Sequence, residues 1–150
     1  MPYRSTKTFG HDLGLSACFR QWRADSHCRF LHGYALAVHL EFEAKELDER
    51  GWVVDFGALK SLRAWLQDTF DHLTLVAEDD PQLAWFLDAT KRGMAQVRVV
   101  RGTGCERFAE MVFDHTQQWL LTNGYAPRVR LVRAEVKEHG ANGAMVTSTS

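Results

Sequence analysis

Hydrophobic and polar positions alternate most cleanly between Ala35 and Glu43. Leu36, Val38, Leu40 and Phe42 take one face, and Ala35, Ala37, His39 and Glu41 the other. Period-two alternation predicts a half-buried strand running to about Ala44. Upstream, residues 3–19 predict a first strand broken near Gly10 and Gly14, and the charged stretch 20–31 predicts a loop. Trp52–Asp55 reads as a short strand end. From Phe56 to Phe70 the period changes. Phe56, Leu59, Leu62, Leu66 and Phe70 recur at steps of three and four, an amphipathic helix with Asp55 as its N-cap. A shorter helix is expected over Pro81–Lys91 and a short strand over Gln96–Val100. A third helix follows Cys105 and stops at Asn123-Gly124. Val129–Glu138 alternates again, Gly140–Gly143 is a turn, and Ala144–Thr147 begins a last strand before a fraying tail, Ser148–Ser150. Strands at both ends with helices between them predict α+β: one antiparallel sheet with helices on one face.

Composition narrows the classes. A chain of 150 residues, 45% hydrophobic and 25% charged, suits a single domain over residues 1–150 with an ordinary core. A formal net charge of −1 gives no global case for nucleic acid or membrane binding. Arg20, Arg23 and Arg29 cluster locally, either as a solvated surface or as an anion site for a phosphorylated substrate. Three unpaired cysteines and no apolar run of membrane-spanning length point to a reducing compartment, with the cytoplasm as default.

Several residues carry candidate chemistry. Cys28 lies among Arg23, His27, Arg29 and His32, where positive charge favours a thiolate; the alternative is a small buried hydrophobe. Cys18 and Cys105 sit in apolar patterns and read as structural. Asp71-His72 is either a helix terminus or a proton-transfer pair, and it joins Cys28 only if the fold brings them together. Glu138 shares a strand face with Val132, Ala134 and Val136. A carboxylate there is costly unless paired or bound to something, or unless it curls into solvent at the strand end. Glu106, after Thr103, either charges a helix first turn or lines a pocket. Seven histidines invite a metal reading, with His27, His32 and His11 nearest to one another in sequence, but no complete ligand signature is present.

Taken together, these segments resemble the 6-pyruvoyltetrahydropterin and 6-carboxytetrahydropterin synthase family. The matching runs are Cys28-x-x-x-His32-Gly33, Gly51-Trp-Val-Val-Asp55-Phe56, Phe70-Asp71-His72-x-x-Leu75, Thr103-x-x-Glu106-x-x-Ala109 and Val136-x-Glu138, in the family's order across nearly the whole chain. Residues 78–100 look like an insertion. The resemblance implies a tunnelling fold: a four-stranded antiparallel sheet with two main helices on one face, assembled into an oligomeric barrel. A homo-oligomer, often a hexamer, with active sites at subunit interfaces is implied too. Cys28 would be the proton-abstracting group, with Asp71 and His72 as its relay. Glu138 would anchor the pterin ring, and Thr103 and Glu106 would line the same pocket. The implied reaction is lyase chemistry on 7,8-dihydroneopterin triphosphate or a related pterin, toward queuosine-type precursors. A regulatory pterin- or purine-binding homologue and a metal-independent aldolase-like enzyme are the alternatives. The family's zinc would need three histidines. Here Phe19 and Tyr34 stand at two of those positions, and only His32 matches.

Overall fold

The computed structural model describes residues 1–149. Its centre is β3 (His32–Ala44), thirteen residues long. On one side β3 pairs antiparallel with two collinear strands, β1 (Tyr3–Phe9) and β2 (Leu15–Phe19), divided by a 3-10 turn at His11–Leu13. The break expected between Gly10 and Gly14 is this turn. On the other side lies β6 (Val129–His139), which carries β7 (Asn142–Thr147) on its outer edge. Two further strands extend the sheet beyond β2: β4 (Leu73–Ala77) runs parallel to β2, and β5 (Val97–Val100) parallel to β4.

The expected four-stranded antiparallel sheet is therefore corrected to a mixed sheet of seven strands. The strand absent from the sequence reading is β4. All five of its residues, Thr74 included, are buried, so neither face is solvated and no polar-apolar alternation marks it. Three α-helices complete the described residues: α1 (Lys60–Phe70), α2 (Leu83–Lys91) and α3 (Cys105–Thr122). The second and third lie where the periodicity put them. Before α1 comes a 3-10 turn, Phe56–Leu59, whose first free N–H, that of Gly57, is capped by Asp55 at 2.8 Å. The turn rotates Phe56 out of the apolar stripe, leaving it 54% exposed.

Trp52–Asp55 is not a strand. Val53 and Val54 are buried from an irregular loop, held where Arg128 donates to the Val53 carbonyl at 2.8 Å and the Glu46 carbonyl at 3.0 Å. At the C-terminus Ser148 is tied down: its N–H donates to Val132 O, and its hydroxyl accepts from Arg130. Ser150, the end of the expected frayed tail, lies outside the described residues.

Burial follows the alternation. Leu36, Val38, Leu40 and Phe42 of β3 pack with Leu62, Leu66 and Phe70 of α1 and Phe108, Val112 and Leu120 of α3 in one core. Two irregularities in β6 matter for the site. Glu41 pairs with Arg133 but Phe42 with Leu131, so Val132 is a bulged extra residue. The inward set is then Val129, Leu131, Ala134 and Val136; Val132 does not share the buried face as expected. A second register shift falls between Lys137 and His139 against β7, and Glu138 is its extra residue. Gly143 makes the second bulge possible, because a Cβ there would stand 2.9 Å from Val136 O. Bulges re-aim side chains at the ends of ladders, and Glu138 is aimed by one.

Candidate functional site

The site gathers where β2, β3 and β6 meet the first turn of α3. Cross-strand pairing puts Phe19 opposite His32 and Ala17 opposite Tyr34. Partners across an antiparallel ladder share a face, and Phe19 and Ala17 are buried, so His32 and Tyr34 also turn toward the core side. Gly33, between them, lets β2 and β3 close up: a Cβ there would be 2.7 Å from the Ala17 carbonyl oxygen. The rings of Phe19, His32 and Tyr34 form a triangle with centroid separations of 5.0, 5.5 and 6.1 Å. Phe108 of α3 braces it, edge-on to Phe19 at 5.0 Å.

Beside the triangle stands Glu138. The Tyr34 hydroxyl lies against its carboxylate, and burial, the Glu138 charge and nearby Cys28 all hold the phenol proton more tightly than usual. Cys105, in the first turn of α3, faces the same carboxylate. Burial first, then Glu138 and Glu106, pushes its thiol up to about 12, so it stays protonated. No cation forms an ion pair with Glu138 among the described residues. Tyr34, Cys105 and Glu138 thus stand together, with Cys28 near Tyr34 and Glu106 near Cys105. Cys28 arrives on a 3-10 turn (His27–Arg29) whose cap is Ser26.

Other candidates sit differently. Asp71 and His72 do touch, Oδ1 to Nδ1 at 2.8 Å, at the start of β4. Asp71 also accepts from the Ser16 N–H, and the His72 N–H donates to Ser16 O at 2.7 Å. His72 has φ of 61°, in the left-handed region, where a non-glycine residue stores strain and is held by its surroundings. Its side chain is 78% exposed. The pair is formed, but no hydrogen bond or ion pair joins it to Cys28 among the described residues. Thr103 gives its hydroxyl to Arg20 O at 2.7 Å, so it closes the loop instead of offering a free donor. Cys18 is half-buried beside Thr74, with its thiol pushed up by burial, as a structural cysteine would be.

The arginine cluster disperses. Arg20 is clamped by Asp80, with Nε and Nη2 donating at 2.9 and 2.7 Å. Arg29 covers the Phe30 ring. Arg23 pairs with Asp79 and faces a hollow of about 410 Å³ that Arg101 and Arg107 also line. Sequence reasoning missed these two arginines, and missed Tyr34 as the partner of Glu138. The available signal was the two-residue step from His32 to Tyr34, which keeps both on one strand face.

The donor set does not fit the zinc that the resemblance implied. Phe19 has no lone pair to give, the Tyr34 oxygen is a protonated phenol engaged with Glu138, and His32 stands alone. No group of three or more His, Cys, Asp or Glu side chains that could hold a metal ion occurs among the described residues. His139 packs its ring on Tyr34 at 5.9 Å, outside the triangle, and His11 turns its Nδ1 to Ala35 O.

Backbone likeness defines the class. Over 100% of this chain and 99% of the other, the structure matches the 6-pyruvoyl tetrahydropterin synthase of Plasmodium vivax with a TM-score of 0.68 at 14% identity. An uncharacterised protein of Wolinella succinogenes matches more closely, with a TM-score of 0.82, 20% identity and 99% of both chains covered. At such identities the likeness shows the fold. The family model for 6-pyruvoyl tetrahydropterin synthase matches residues 11–149, and the chain belongs to that family. Among curated relatives, the 6-carboxy-5,6,7,8-tetrahydropterin synthases of Rickettsia bellii and Rickettsia conorii are 37% and 35% identical over 57 residues. Those matches cover 37% of this chain and 41% of each relative, so the chain is aligned to about two-fifths of their length. No helix among the described residues is long and apolar enough to cross a membrane.

Proposed function

We propose that the chain is a pterin-binding enzyme resembling 6-carboxytetrahydropterin synthase, acting on 7,8-dihydroneopterin triphosphate or a close relative in a queuosine-type precursor route in the cytoplasm. One observation carries the reading: Glu138 sits at a bulge, half-buried beside Tyr34 and Cys105, and has no cationic partner among the described residues. A pterin ring presents adjacent N–H donors that suit a carboxylate in bidentate fashion. Cys28, near Tyr34, is the group to take a proton from the substrate side chain. Asp71 orients His72: its carboxylate accepts from Nδ1–H, leaving Nε2 to accept a proton in turn. In one subunit that pair stands just before β4 with His72 exposed, and no bond joins it to Cys28 among the described residues. The reading therefore includes a homo-oligomer, a hexamer or similar ring, in which copies meet at the site. The unpaired edges of β5 and β7 give such a ring strands to join. A phosphate tail has cationic company in the hollow lined by Arg23, Arg101 and Arg107.

The aromatic triangle favours a second reading, a metal-independent pterin reaction such as side-chain aldol cleavage, or ring binding without turnover. Incubating the protein with dihydroneopterin triphosphate and following products by mass separates these. Elimination products support the first, side-chain cleavage supports the second, and binding without product leaves a regulatory pterin protein. Calorimetric titration with neopterin tests what all three share, and no binding would remove them together. Sedimentation as a monomer at micromolar concentration would remove the ring.

A further inference from the structure

The Phe19–His32–Tyr34 triangle has a property that its residue types do not use. Three imidazoles ligating one tetrahedral ion through nitrogens at about 2.0–2.1 Å would set their ring centroids about 5 Å apart. The observed separations are 5.0, 5.5 and 6.1 Å. His32 is also held in the tautomer a ligand needs. Its Nδ1 lies 2.6 Å from the Phe30 carbonyl oxygen, which can only accept, so Nδ1 carries the proton and the Nε2 lone pair is free. The frame is rigid: Phe19 is fully buried, Phe108 braces it, and Gly33 fixes the approach of β2 to β3. Backbone and orienting hydrogen bond thus keep the shape of a tris-histidine site, while two of three side chains are apolar or engaged elsewhere.

We propose that this chain has a metal site in geometry but not in chemistry: the triangle takes no divalent ion, and the two substitutions Phe19→His and Tyr34→His alone would make it a tris-histidine site for zinc. In the chain as it stands, the Tyr34 ring occupies the third corner of the triangle, and its hydroxyl lies toward Glu138. Whatever reaction occurs beside Glu138 runs without a Lewis acid at this point. The inference rests on the coordination chemistry of the triangle and does not depend on the pterin reading.

Cobalt(II) and zinc(II) titrations test it, because tetrahedral cobalt is coloured and zinc competes it away. Chelator-treated wild type is expected to show no tetrahedral cobalt spectrum. F19H/Y34H is expected to bind one equivalent, at least about 100-fold more tightly than wild type, and to lose it when His32→Ala is added. Phe19 is buried, so a thermal melt accompanies each variant. If the double variant does not fold, Y34H alone is read instead: with two imidazoles in place it should bind zinc about tenfold more tightly than wild type. One equivalent of zinc on wild type, abolished by H32A, would overturn the proposal. So would a folded double variant that binds no better than wild type, or, where that variant does not fold, a folded Y34H that binds no better. Neopterin titration of the chelator-treated wild type is read separately. Its failure would remove the pterin assignment and leave the metal result standing.

Discussion

Two inward-turned carboxylates flank the site, and the molecule treats them in opposite ways. Asp80, between β4 and α2, is locked. Arg20 reaches both its oxygens, the Gln82 N–H adds a bond at 2.8 Å, and the aspartate side chain is 1% exposed. Glu138, on β6, is half-buried and meets a phenol and a thiol but no guanidinium or ammonium. The first arrangement satisfies a charge completely and leaves it nothing to do but hold. The second leaves an acceptor under-satisfied beside Tyr34 and Cys105. The difference also connects the two. Arg20 begins the loop that delivers Cys28, and Trp22 and Arg23 of that loop both donate to Asp79. The stretch after β4 that looks like an insertion therefore supplies the anchors, Asp79 and Asp80, for the loop beside Glu138.

The comparison breaks most visibly at Asp80. Removing one partner of a buried pair leaves the other charge stranded and costs about 3–5 kcal/mol. Asp80→Ala should lose stability of that order in denaturant melts. The pH dependence has a definite sign. Arg20, the largest cause, lowers the Asp80 carboxyl below its ordinary value, with burial opposing and Gln82 assisting. Its contribution is present above the unfolded-state pKa of about 3.9 and is lost as pH falls through the lower folded value. Asp80→Asn should therefore abolish the part of the acid destabilisation that develops below about pH 4. A melt series unchanged by either substitution would show the clamp to be idle.

At Glu138 the expected effects are reversed: small in stability, larger in binding. Glu138→Gln keeps the shape but places a donor where an acceptor is needed. A charge-assisted hydrogen bond contributes about 1.5–3 kcal/mol, and about 1.4 kcal/mol is a decade of affinity. Neopterin binding should fall tenfold or more in Glu138→Gln, and at least as far in Glu138→Ala, with melting temperatures near that of wild type. Unchanged affinity in folded variants would remove Glu138 as the ring anchor.

What the sequence revealed follows from period and local chemistry. The alternation of β3, the helical steps of α1 and α3, and the Asp55 cap are local signals, and the structure carries them. The pairing of Asp71 with His72 was legible because the two are neighbours. Failures occurred where tertiary context decides. Buried on every side, β4 has no alternation to show. Val53 and Val54 look like a strand because they are apolar and β-branched, yet they are buried from a loop that Arg128 holds from 75 residues away. Val132 left the inward face through a bulge, and no pattern within β6 predicts one. In the sequence Glu138 stands out because it shares a predicted face with Val132, Ala134 and Val136. Two of those three are its inward neighbours, and the bulge that aims it was not visible. Cys105 reads as a core residue and is one, but its position against Glu138 depends on how α3 meets β6.

The smallest expected effect belongs to Tyr34, and it sharpens the comparison most. If Glu138 is the unclamped counterpart of Asp80, its orientation depends on neutral donors, and the Tyr34 hydroxyl is the larger of the two groups that face it. Tyr34→Phe removes one oxygen and keeps the ring that packs on Phe19 and His32. A hydroxyl bond to a carboxylate is charge-assisted and contributes about 1.5–3 kcal/mol, but Tyr34 acts on the ligand only through Glu138, so a part of that, roughly two- to tenfold in affinity, reaches binding. Neopterin should bind more weakly by that factor to Tyr34→Phe. In a Glu138→Gln background the same substitution should change much less, because the carboxylate it positions is gone. A double-mutant cycle over wild type, the two single variants and the pair reads this coupling directly. Additive losses would mean that Tyr34 acts on the ligand independently of Glu138. A coupling close to the full Tyr34→Phe effect would mean that the phenol works through the carboxylate, as Arg20 does on Asp80, but through a neutral donor that leaves the net charge available.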